Sequence, residues 1–276
     1  MKNQTSKNEK LSRYNLKIKF FPNDVIKETC FSRPIFNPHK LEAIPKISYG
    51  TVYDPSVDKF VRYFELTKEG KEKTKERVRN DSKKRAMDKA TEICFANNWQ
   101  YFITLTLDEE KINRYSPTEI YKKLKNFLDN AVRRKNIKYI IFPEYHKQHA
   151  YEEKPAIHLH GLLIAEKEVL NLEDSGKKTE QNQTIYNWND WKYGFSTLIE
   201  LDGNCAVYDY VKKYMTKENE KIFGKMYLSG GKDLIREVPT EYHNVDYYSF
   251  DGKEYNIPSA LLSVKYKTLK LEGVEN

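Results

Sequence analysis

Apolar and polar positions follow element-specific periods over the middle of the chain. YFITLTL (101–107) is rich in β-branched and aromatic residues and predicts a core strand, closed by the acidic turn Asp108–Glu110. SPTEIYKKLKNFLDNAVRRKN then opens with Ser116 as N-cap, Pro117 at the first helical position and Glu119 completing a capping box. Ile120, Leu124, Phe127, Leu128, Ala131 and Val132 recur at helical spacing, so one face of this helix packs on a sheet. KYIIFPE (138–144) and AIHLHGLLIA (156–165) read as two strands joined by a polar loop. A charged, Gln/Asn-rich insertion runs from Glu166 to about Gln183, and GFSTLIEL (194–201) reads as a further strand. NCAVYDYVKKYMTK predicts a helix, with Asp202 or Asn204 as its cap. The order β-α-β-β-β-α predicts an α+β fold, a central antiparallel sheet with flanking helices related to the ferredoxin-like plan.

The flanks are less regular. LKIKFF, ISYGTVY and KFVRYFEL suggest short strands in an appended N-terminal region, and residues 1–15 are polar. From Thr67 to Asn98 the composition turns helical, with ten Lys or Arg against five acids between Lys68 and Lys89. Two readings stay open for it: a solvated helix laced with i,i+4 pairs, or a contact to a nucleic acid backbone. The expected division is an N-terminal extension with the basic helix (1–79), a main domain (80–220) and a C-terminal extension (221–276).

Charge and composition narrow the classes. A chain of 276 residues has 48 Lys plus Arg against 40 Asp plus Glu, with 21 tyrosines among its 13% aromatics. Basic charge interleaved with stacking surfaces suits a nucleic acid partner. Cys30, Cys94 and Cys205 are far apart and form no C-x-x-C pair, which argues against a disulfide framework or a cysteine zinc site. No apolar run is long enough for a membrane span, and MKNQTSKNEKLSRYN lacks the apolar segment of a signal peptide, so a cytoplasmic protein without membrane partners is expected.

Two constellations carry candidate chemistry. Strand alternation turns His158 and His160 to one face and Ile157, Leu159 and Gly161 to the other. Glu144 ends the preceding strand, and a hairpin would bring its carboxylate alongside both imidazoles. Two His and one carboxylate leave coordination positions open, as a catalytic metal site requires. The second constellation is YDYVKKYMTK, two consecutive Y-x-x-K units: Tyr210 with Lys213, then Tyr214 with Lys217. On a helix, i and i+4 stand roughly 6 Å apart, so both phenols can reach one reaction centre. A phenol is a weak nucleophile at its ordinary pKa of about 10, and a cation on a phosphodiester oxygen supplies the polarised electrophile it needs.

FITLTL, PEYHK...AIHLHGLL, WKYGFSTLIEL and YDYVKKYMTK stand here in the order and character of the rolling-circle replication initiators of phages and small plasmids. The chain from about Asn80 to Lys217 resembles these two-tyrosine, His-hydrophobe-His (HUH) endonucleases. The resemblance implies a metal-dependent nuclease that nicks one strand of single-stranded origin DNA, leaves a 5′-phosphotyrosine and a free 3′-hydroxyl, and later rejoins strands. It implies His158, His160 and Glu144 as ligands of Mg²⁺ or Mn²⁺, Tyr210 and Tyr214 as nucleophiles, and Lys213 as the lysine between them. Host polymerase and a host helicase are the implied partners, since no G-x-x-x-x-G-K-[ST] motif occurs and SGGKDL lacks its spacing. Leu107 and Asp108 stand where the family often carries an aromatic residue, and the first 70 residues match nothing in it. His146, His149 and His243 read as bystanders, although His146, two residues past Glu144, can face the same side. The alternatives are a relaxase or transposase of the same superfamily, or a metal-free nucleic-acid-binding module that needs neither Glu144 nor the tyrosine pair.

Overall fold

A computed structural model describes residues 13–22, 24–36, 51–54, 58–62, 68–146, 155–201, 221–257 and 262–270. In chain order its elements are β1 (Arg13–Phe21), β2 (Val25–Phe36), β3 (Thr51–Asp54), β4 (Lys59–Arg62), α1 (Lys68–Ala96), β5 (Tyr101–Leu105) and α2 (Pro117–Lys135). They continue with β6 (Lys138–Tyr145), β7 (Ile157–Ile164), β8 (Leu172–Lys178), β9 (Thr184–Trp188), β10 (Ser196–Glu200) and β11 (Leu228–Gly230). The last are β12 (Thr240–His243), β13 (Lys253–Ile257) and β14 (Leu262–Lys270). The architecture is α+β, with two antiparallel sheets and few helices. Among the described residues, no helix is long and apolar enough to cross a membrane.

The chain divides into two compact units, residues 1–78 with 237–276, and residues 79–236. In the first, strands from both chain ends form one sheet in the order β12-β1-β2-β14-β13, and β3 pairs with β4. Leu16, Cys30 and Tyr247 form its small core, with Ile18 and Phe250 packed against them. The buried Asn15 is fully engaged there: its amide nitrogen donates to Val245 O (2.7 Å), and Val245 N–H donates to its Oδ1 (2.8 Å).

The second unit holds the seven-stranded sheet β11-β6-β7-β5-β10-β9-β8. β5 and β6 each run antiparallel to β7, which lies between them, so β5, α2 and β6 make a split β-α-β. α2 forms for the reasons its sequence carries. Ser116 Oγ accepts from Glu119 N–H (3.4 Å), Pro117 enters the first turn, and Asn136 closes the C-terminus in the left-handed conformation at φ 49°. Arg133, Arg134 and Lys135 in the last turn complement the helix dipole. Its buried Ile120, Leu124, Leu128 and Ala131 pack with Ile103, Leu105, Ile141, Ile157, Leu159, Leu163 and Leu198 on one sheet face.

The opposite face is half covered. Ala90, Ile93 and Cys94 of α1 pack with Ile140, Phe142 and Leu162, with Phe102 and Ile164 at the margin. α1 is finished by side chains: Trp99 Nε1–H donates to Cys94 O (2.9 Å), and the buried Asn97 amide donates to Ile93 O and Ile235 O (both 2.8 Å). Burial pushes the Cys94 thiol well above its ordinary pKa, and burial likewise raises Cys30; both are free cysteines. Cys205 lies outside the described residues.

Two segments take forms the residue pattern did not indicate. The charged insertion after Glu166 contains a 3-10 turn at Lys167–Val169 and the hairpin β8–β9, whose first strand, LEDSGKK, carries one apolar residue. Trp188, fully buried, and Leu172 anchor it to the core. SGGKDL contributes to β11, which pairs with β6 at the edge of this sheet.

Gly161, opposite Ile141 at the centre of the sheet, marks a tight approach between β6 and β7. A Cβ there would meet Ile140 O at 2.4 Å and Ile141 Cδ1 at 2.5 Å. Gly161→Ala is therefore expected to destabilise the protein by about 1–3 kcal/mol or more. A lowered urea midpoint checks this, and an unchanged midpoint would show that the two strands part without cost.

Candidate functional site

The site lies where β6 ends and β7 begins. Antiparallel register sets Glu144 opposite His158 and Phe142 opposite His160, and on the other side of β7 it sets Thr104 opposite His160. The two-residue period turns these side chains to the face that α1 covers only in part. Ile157 and Leu159 point the other way and are buried under α2, which locks the register.

Glu144, His158 and His160 thus meet as the spacing predicted. His160 Nε2 stands 3.9 Å from Glu144 Oε2, and the two side chains are 20% and 19% exposed, within reach of solvent but not washed by it. The His158 and His160 ring centres are 6.3 Å apart. His146 joins the group: its ring stacks on His158 at 4.5 Å with 25° between planes, and its N–H donates to Ala156 O (2.8 Å). The even spacing of Glu144 and His146 was the signal for this. His243 belongs to the other unit, where its Nε2 lies 3.1 Å from Glu241 Oε2. Tyr210, Lys213, Tyr214 and His149 lie outside the described residues.

One participant was not singled out in the sequence. Thr104 Oγ1 lies 3.1 Å from His160 Nδ1, and Phe102 lies near-parallel to the same ring, 11° between planes at 6.3 Å. When Nδ1 carries the proton and donates to the hydroxyl, the Nε2 lone pair is left facing Glu144. Inside FITLTL, Thr104 looks like one more β-branched strand residue, and its role emerges only from the pairing of β5 with β7.

As the side chains stand, no group of three or more His, Cys, Asp or Glu among the described residues is close enough to hold a metal ion. The His160–Glu144 pair nevertheless has suitable dimensions. Two ligands at about 2.1 Å from one ion lie about 3 Å apart when adjacent and at most about 4.2 Å apart when opposite. Imidazole nitrogen with carboxylate oxygen is a donor set that suits a divalent cation, and His158, now stacked on His146, is the next donor within reach. Fold and site together define an α+β unit with a His/carboxylate cluster on an antiparallel sheet.

Residues 100–219 match the family model of the replication-associated proteins of the ORF2 and gene II protein type. The match supports a Rep-type protein acting in replication, with DNA as its partner, and it spans β5, Glu144, both histidines and the Y-x-x-K segment. The comparisons with curated proteins and with solved structures give no match.

Replacing Thr104 by Val keeps the shape and removes the hydroxyl. The His160 ring ¹⁵N shifts are then expected to move toward the average of the two tautomers, while Thr104→Ser keeps the wild-type shifts. Identical shifts in wild type and Thr104→Val would show that the hydroxyl does not hold the ring.

Proposed function

We propose that the protein initiates replication by nicking single-stranded origin DNA through the segment 80–220, in the manner of a HUH endonuclease. The observation that carries this reading is the cross-strand pairing of Glu144 with His158, beside His160, on a partly open sheet face. That pairing falls inside the segment matched to the replication-associated family. The strand order β10-β5-β7-β6, with α2 linking β5 to β6, supports the ferredoxin-like plan of such enzymes.

On this reading Glu144, His158 and His160 hold Mg²⁺ or Mn²⁺, which when bound draws charge from the scissile phosphate and orients it. Thr104 holds the His160 ring so that Nε2 is the donor, and Glu144 balances the charge. Tyr210 or Tyr214 attacks phosphorus. The phenolic oxygen forms the new P–O bond and loses its proton to solvent, while the bond to the 3′-oxygen breaks and that oxygen takes up a proton. The products are a 5′-phosphotyrosine and a 3′-hydroxyl that host polymerase can extend. Lys213 places positive charge near the phenolate and the phosphate. The phosphotyrosine ester conserves the energy of the broken bond, so attack by a 3′-hydroxyl rejoins the strand, and a second phenol permits a second transfer without release. A host helicase opens the duplex.

A labelled single-stranded origin oligonucleotide incubated with Mn²⁺ is expected to yield a covalent DNA–protein adduct, with the modified tyrosine found by mass spectrometry. A metal-free binding module leaves the strand intact. Tyr210→Phe with Tyr214→Phe should abolish the adduct while binding persists, and residual cleavage by the double variant would place the nucleophile elsewhere. His158→Ala with His160→Ala should remove metal-dependent cleavage, a loss of about 10²-fold or more; an unchanged rate at equal metal concentration would dismiss this site.

A further inference from the structure

Phe195 stands in the segment leading into β10 and is 79% exposed, although its backbone is firmly held. Thr106 N–H donates to Phe195 O (2.8 Å), Thr106 Oγ–H donates to the same oxygen (3.0 Å), and Phe195 N–H donates to Thr106 Oγ1 (3.1 Å). The preceding Gly194 permits this contact, since a Cβ there would lie 2.3 Å from Thr106 O. The following Ser196 is buried, its hydroxyl donating to Trp188 O (3.0 Å) and accepting from Trp188 N–H (2.7 Å). The strand therefore cannot turn to bury the phenyl ring.

The direction of that ring matters. Ser196 and Leu198 face α2, so Phe195, Thr197 and Ile199 face the other side, where Thr104 and His160 lie. One row across the sheet reads Thr197, Thr104, His160, Phe142. Two residues outward along each strand, the next reads Phe195, Thr106, His158, Glu144. Two strand spacings, roughly 10 Å, separate Phe195 from His158. Single exposed apolar side chains are common on proteins. This one is a rigidly mounted aromatic, in the same row and on the same face as the His/carboxylate cluster.

We propose that Phe195 is a stacking platform for a nucleobase of the single-stranded DNA whose backbone passes the Glu144–His158–His160 cluster. The proposal rests on the nicking reading for its partner and adds a base subsite to it. Stacking on a fixed aromatic side chain is tolerant of base identity and requires an unpaired base. The platform thus favours single strands over duplex and fixes the strand beside the cluster without reading its sequence.

The test is the affinity of the full chain for a fluorescent single-stranded oligonucleotide, and for a duplex of the same length, measured by polarisation in EDTA so that no cleavage intervenes. Phe195→Ala and Phe195→Leu are expected to weaken single-strand binding by about five- to a hundredfold. Phe195→Trp should retain it within about twofold, and duplex binding should stay unchanged in all three. Unchanged melting temperatures serve as the folding control. Wild-type affinity in Phe195→Ala overturns the platform, as does full affinity in Phe195→Leu, which would mean apolar contact without stacking. An equal loss on duplex overturns the single-strand assignment. Adduct formation is scored separately on the wild type. Adducts together with normal Phe195→Ala binding sink the platform alone, whereas weakened Phe195→Ala binding without any wild-type adduct sinks the nicking reading and leaves the base subsite standing.

Discussion

The antiparallel register of β6 on β7 sets Glu144 opposite His158 and Phe142 opposite His160, and the candidate site exists only in that register. A slip of one residue would send both imidazoles into the apolar layer under α2 and turn Ile157 and Leu159 out to solvent. Burying unpaired imidazoles while exposing two aliphatic side chains costs several kcal/mol in each direction. Gly161 tightens the constraint, because only a residue without Cβ allows β7 to lie so close to Ile140 and Ile141. Packing on one face of β7 therefore dictates chemistry on the other.

That face is divided along its length. Towards the C-terminal end of β7, Leu162 and Ile164 meet Ala90, Ile93 and Cys94 of α1, and burial there is apolar. Towards the N-terminal end the residues become His160 and His158, with Thr104 and Glu144 beside them and partial access to water. A polyanion can approach only this second half. The same half carries Phe195, so the exposed aromatic and the polar cluster share a surface because the strands share a period.

Legibility followed local physics. α2 was readable to its caps because Ser116, Pro117, Glu119 and the i,i+4 apolar series each speak within one turn. β5, β6, β7 and β10 were readable because alternation or β-branched runs persist over five or more residues. Glu144 and the histidine pair could be joined because one hairpin separates them. The β8–β9 hairpin was not readable: LEDSGKK has neither alternation nor β-branched residues, and its strand form depends on Trp188 and Leu172 reaching a core assembled from elsewhere. The sheet built from β1, β2, β12, β13 and β14 was hidden for another reason. Its pairs, such as Leu16 with His243, join positions more than two hundred residues apart, which no local pattern reports. Thr104 and Phe195 share that limitation, since each matters only through a neighbour on another strand.

The two histidines are held by different means, and this bears on how a cation would be bound in the reading proposed above. His160 has a hydrogen-bonding partner at Nδ1 and a carboxylate 3.9 Å from Nε2, so it is oriented before any ion arrives. His158 leans instead on the ring of His146, a stack whose loss costs about 1 kcal/mol and leaves no buried polar group unsatisfied. Turning His158 toward Glu144 is thus the inexpensive adjustment, whereas turning His160 breaks a hydrogen bond. A pre-oriented nitrogen with a nearby carboxylate, and a third donor that swings in from an aromatic rest position, lets the cation and the phosphate assemble together rather than in a fixed order.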